Sequence, residues 1–88
     1  MSSYRRAEGV VFREVDGEAF LVAPNDVELF HLNPIGTAIW RALGEPTSPR
    51  EVAALLHAAF PREDRNRITR DVTAMFARLK QGGFITPA

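Results

Sequence analysis

The chain contains no cysteine. That absence excludes disulfide staples, thiolate metal sites and a cysteine nucleophile together, and it fits a reducing compartment. Net charge is absent too, because eleven Lys and Arg balance eleven Asp and Glu. A protein whose main partner is duplex DNA normally carries a strong positive field, so the balance speaks against nucleic acid. A local excess remains between residues 62 and 80, where Arg62, Arg65, Arg67, Arg70, Arg78 and Lys80 face only Glu63, Asp64 and Asp71. No apolar run approaches the roughly 20 residues of a membrane span. The basic start, Met1 to Arg6, is not followed by the apolar segment of a signal peptide. The expectation is a cytoplasmic chain that makes no membrane contact.

Catalytic groups are equally scarce. The two histidines, His31 and His57, fall on different predicted elements and lack the spacing of a metal pair. Gly82-Gly83 ends a helical pattern, whereas a phosphate loop must open one. Ser2, Ser3 and Ser48 have no base or oxyanion context, and Ser48 reads as a helix cap. No metal, no cofactor and no enzyme activity are expected. With 88 residues the chain makes one domain, 1–88, with residues 1–7 expected to be disordered. A domain this small buries only roughly 60–65% of its unfolded surface, which favours binding over an organised active site.

What is present begins with strands. Asp16-Gly17 between two β-type runs predicts a two-residue hairpin, since both positions tolerate positive φ. Val10, Phe12, Ala19, Leu21 and Ala23 then share one face. Val11, Val15, Phe20 and Val22 share the other, broken by Arg13 and Glu18. Neither face is clearly polar, so the sheet is either covered on both sides or keeps one face for another chain. Pro24-Asn25-Asp26 has turn chemistry, and Val27, Glu28, Leu29, Phe30, His31 and Leu32 read as a third strand.

Helices follow. Asn33 caps and Pro34 opens helix one, predicted to run to about Leu43 with Trp40 as a core anchor. Ser48, Pro49 and Glu51 form a capping box for helix two. Val52, Leu55, Leu56, Ala59 and Phe60 make its apolar stripe, and Pro61 stops it. Helix three runs from Glu63 or Asp64 to about Gln81, with Ile68, Val72, Met75, Phe76 and Leu79 on one face. Phe84-Ile85-Thr86 forms an apolar tail. The class is α+β, a three-stranded antiparallel sheet followed by three helices, winged-helix-like. A winged-helix DNA-binding regulator is the rival reading.

At Leu32, Asn33, Gly36, Ala38, Ile39 and Trp40 the sequence resembles the PqqD-like proteins, named for the D-protein of pyrroloquinoline-quinone (PQQ) biosynthesis. Pro49 to Leu56 is similar to that family's second helix. Asp71-Val72, Phe76, Leu79, Gly83 and Phe84-Ile85 resemble its ending. The likeness covers about positions 8 to 86. It implies a stand-alone recognition element for ribosomally made, modified peptides. Such an element takes the leader of a precursor peptide along its third strand, against the third helix. The partners so implied are a precursor peptide and a maturation enzyme, such as a radical S-adenosylmethionine enzyme or a leader peptidase. The implied binding edge is Val27 to Leu32. The wall is helix three, with Arg67, Ile68, Asp71, Val72 and Met75. Two apolar sheet faces would also suit a homodimer.

Overall fold

The computed structural model describes residues 3–24 and 29–88. The hairpin is built as its turn demands. Asp16 (φ 52°) and Gly17 (φ 79°) both take positive φ and join β2 (Val11–Val15) to β3 (Glu18–Val22). Val15 pairs with Glu18 and Phe12 with Leu21. β4 (Phe30–Leu32) pairs antiparallel with β3, Leu21 opposite Phe30 and Ala19 opposite Leu32, giving the order β2-β3-β4. Among the described residues the third strand starts at Phe30, and Leu29, predicted within it, lies just before it. Val27, Glu28 and the Asn25-Asp26 part of the turn fall outside the described residues.

Each helix starts on a side chain that accepts an otherwise orphaned N–H. Asn33 Oδ1 accepts from Gly36 N at 2.7 Å to open α1 (Pro34–Ala42). Ser48 Oγ accepts from Glu51 N at 3.2 Å to open α2 (Pro49–Ala59), and its hydroxyl meets the Glu51 carboxylate at 3.2 Å. Asp64 Oδ1 accepts from Asn66 N at 2.9 Å to open α3 (Arg65–Gln81).

The α3 stripe of Ile68, Val72, Met75, Phe76 and Leu79 is buried as its spacing predicts. It meets Ala19, Leu21 and Leu32 from the sheet and Ile39, Trp40, Val52 and Leu56 from the other helices. Each such side chain contributes roughly 1.5–3 kcal/mol of transfer free energy. The α2 stripe is narrower than predicted. Val52 and Leu56 are buried, but Leu55 and Phe60 are 59% and 44% exposed, and Ala53 takes the inward position instead.

The termini form a sheet of their own. Tyr4–Arg6, expected to be disordered with the rest of 1–7, forms β1 and pairs antiparallel with β5 (Ile85–Pro87). Tyr4 also exchanges main-chain hydrogen bonds with Thr47 at 2.7 and 3.0 Å. Arg6 lies over the Trp40 ring at 4.6 Å and donates to Trp40 O at 2.6 Å. Partial burial holds its guanidinium below the usual arginine range by desolvation. These contacts are long-range pairings that local propensity cannot announce.

Candidate functional site

In a two-residue hairpin the first pair, here Val15 and Glu18, exchanges both of its main-chain hydrogen bonds. Antiparallel pairs then alternate between bonded and non-bonded. Along β3, Glu18, Phe20 and Val22 turn their main-chain groups toward β2, while Ala19 and Leu21 turn theirs toward β4. Leu32 and Phe30 answer those two, so the His31 N–H and C=O point the other way, out of the sheet. The His31 side chain fits this assignment. It sits across a non-bonded pair from Phe20, where side chains approach most closely, and the rings meet edge-on at 5.2 Å.

Among the described residues no strand pairs with the outer edge of β4. That edge is a template for one more strand. Among the described residues the outer edge of β2 is also unpaired; it carries Arg13 and Glu14 in the way exposed edges usually do, whereas β4 leads directly into Asn33, which lines the α3 cavity described next.

α3 reaches β4 at Phe30. At one end Arg78 lies over the Phe30 ring at 5.0 Å, and Phe30 stacks on Phe84 at 5.1 Å. At the other end a cavity of about 340 Å³ opens beyond Leu32. Its apolar wall is Pro34, Ile35, Leu56, Phe60 and Ile68, and its polar rim is Asn33, Glu63, Arg67 and Asp71. Arg67 Nε and Asp71 Oδ2 are 3.9 Å apart. The pair is solvent-exposed and has the weaker order, cation before carboxylate, so it holds the two side chains loosely. Both are available to a ligand at small cost.

The expected site residues thus divide. Leu29, Phe30 and His31 are at the surface of the edge. Arg67, Asp71 and Ile68 line the cavity. Leu32 and Val72 are core residues, 2% and 0% exposed, and Met75 fills space under Gly36. A Cβ on Gly36 would stand 3.0 Å from Met75 Cε, so that glycine is what lets α1 close on α3. Asn33, Phe60 and Glu63 were not anticipated. Phe60 reads as core by spacing, and only its place beyond the last α2 turn, before Pro61, signals otherwise. Among the described residues no cluster of metal-ligating side chains occurs.

The family model for coenzyme PQQ synthesis protein D (PqqD) matches residues 18–85. The chain belongs to the PqqD family. Solved structures repeat the fold of this PqqD-family chain. A lasso peptide synthetase B1 complexed with the leader peptide is 26% identical, with a TM-score of 0.76 over 96% of this chain and 98% of that one. TbiB1 in complex with the TbiA(beta) leader peptide is 24% identical, TM-score 0.75, covering 92% and 93%. The PqqD truncation of Methylobacterium extorquens PqqCD, described as a stand-alone RiPP (ribosomally synthesized, post-translationally modified peptide) recognition element, is 22% identical, TM-score 0.75, covering 96% and 88%. Among curated proteins no match is found.

Proposed function

We propose that this PqqD-family chain is a non-catalytic recognition module that takes the leader of a ribosomal precursor peptide as a strand beside β4. The observation that carries the reading is the outward-facing main chain of His31, unpaired among the described residues and two positions before Asn33, which lines the cavity on α3. An added strand gains ladder hydrogen bonds there, and its alternate side chains fall toward Ile68, Arg67 and Asp71. Val27 and Glu28 would lengthen that ladder. The leader complexes of the lasso synthetase B1 and TbiB1 support the same assignment by their shared fold.

The module would present the core peptide to a maturation enzyme, such as a radical S-adenosylmethionine enzyme or a leader peptidase. It would work in the cytoplasm, in keeping with the fact that no helix among the described residues is long and apolar enough to cross a membrane. A homodimer has one supporting observation, the exposure of Val11 and Val15 on the outer face of β2, and sedimentation of the purified chain tests it. The DNA-binding reading gains no support from the comparisons.

Titration of the purified chain with a candidate precursor peptide, sought among the neighbouring genes, tests the function. Saturable binding, with amide shifts centred on His31 and the Arg67–Asp71 turn, is expected. Absence of binding to that peptide, together with tight, steeply salt-dependent binding to duplex DNA, would overturn it.

A further inference from the structure

Phe30 opens β4, and its ring carries a cation. Arg78 of α3 lies over that ring at 5.0 Å, and the same ring meets Phe84 at 5.1 Å. Arg78 is exposed, and among the described residues it pairs with no carboxylate. A cation–π contact orients a guanidinium while leaving its five N–H donors open. Arg67 differs, since it faces Asp71 at 3.9 Å with Glu63 on the same rim. Among the described residues, charge therefore changes along α3. It is of mixed sign beside Asn33 and positive beside Phe30.

Two tie points fix how α3 lies against β4. Arg78 meets Phe30, and Asp71 lines the same cavity as Asn33. Phe30 to Asn33 is three steps of extended chain, about 10 Å. Asp71 to Arg78 is seven steps of helix, also about 10 Å. Seven steps are close to two full turns, so Asp71 and Arg78 stand on one flank of the helix. Ala74, exposed and a turn before Arg78, adds little bulk between them.

We propose that Arg78 is a specificity residue, selecting a carboxylate side chain, Glu or Asp, on the precursor residue that faces Phe30. The inference rests on strand addition at β4. In an antiparallel ladder, the more stable pairing per residue, His31 forms a bonded pair with one peptide residue. The next peptide residue faces Phe30 in a non-bonded pair, where Cα atoms come to ~4.5 Å and side chains are closest. Its side chain stands on the Phe30 face of the sheet, where Arg78 lies. A carboxylate there meets donors already held in place, whereas Lys or Arg meets a like charge. The peptide residue two positions earlier faces Leu32, on the same face and toward the α3 cavity with its apolar wall. The selected pattern is an apolar residue, any residue, then an acidic one.

The probes are capped, threonine-rich peptides of about nine residues, a long strand. Each carries leucine and, two positions later, glutamate, glutamine or lysine. They are titrated separately at low salt into the isotope-labelled chain. The His31 amide reports strand addition, and Arg78 Nε–H reports the contact. The glutamate peptide is expected to bind about fivefold more tightly than the glutamine peptide and to move Arg78 Nε–H, with the lysine peptide weakest. In Arg78→Gln the glutamate-to-glutamine ratio should fall to about one, and in Arg78→Glu the lysine peptide should become the preferred one. If Arg78→Glu disturbs the fold, Arg78→Lys decides with Arg78→Gln, because it keeps the charge and should keep part of the preference. Equal affinities for the three peptides, with shifts at His31, would overturn the role of Arg78 and leave strand addition standing. Loss of the preference in Arg67→Gln but not in Arg78→Gln would assign the choice to the other cation and overturn it too. No saturable shift at His31 from any of the three would sink strand addition and the proposal together.

Discussion

At the scale of single residues, position relative to the free edge decides role. Asp71 and Arg67 sit on the cavity rim with a long, exposed ion pair, so removing Asp71 leaves the fold intact. Asp71→Ala should keep its thermal midpoint within a degree or two yet weaken leader binding by about 1 kcal/mol, or roughly fivefold, a charge-assisted contact; calorimetric titration checks it. Gly36 acts in the opposite way, through packing alone. Gly36→Leu forces a side chain into Met75, Asn33 and Leu32 and should destabilise the domain by about 2 kcal/mol, seen as a lower urea midpoint. Asp71 was legible because a charged residue beside an apolar helical stripe marks the rim of that face. Val72 belongs to that apolar stripe and is 0% exposed, so its period marks it as core and only the family resemblance made it a binding residue. Phe60 was misread, since its spacing joins the α2 stripe but the chain has left the helix by then.

At the scale of elements, the helices were the most readable part of the chain. Asn33-Pro34 and Ser48-Pro49 place a side-chain acceptor and a proline at the two positions where a helix start needs them. Ser48→Ala removes the acceptor for Glu51 N and should lower stability by about 1 kcal/mol, measured by denaturant unfolding. The hairpin was equally legible from Asp16-Gly17, and its register carries the central functional argument, because it turns the main-chain groups of His31 outward. The third strand was read in place, except that Leu29 lies outside the Phe30–Leu32 segment that pairs with β3. Its pairing depends on how far β3 runs beside it, which is a tertiary fact.

At the scale of the whole molecule, the missing piece was closure of the chain ends. β1 and β5 are three-residue segments, too short for periodicity to mark them. Together they bring Arg6 onto Trp40 and Tyr4 onto Phe76 at 5.9 Å. A chain lacking residues 1–7 loses that sheet and both ring contacts. Its midpoint should fall by on the order of 10 °C, for a loss of about 2 kcal/mol in a domain of this size; differential scanning calorimetry checks it, and an unchanged midpoint would mean the segment adds nothing. β4 meanwhile stays at the margin of its own sheet with Arg78 of α3 over Phe30, and the proposed recognition of an added strand rests on that arrangement. The most direct test is His31→Pro, with His31→Ala as the side-chain control. Proline at this position removes an N–H that points out of the sheet, so the bonds from Phe30 and Leu32 to β3 survive. The predicted result is a folded protein by circular dichroism that binds the precursor peptide about tenfold or more weakly, while His31→Ala binds nearly as the natural chain does. Full affinity in a folded His31→Pro protein would contradict strand addition at β4.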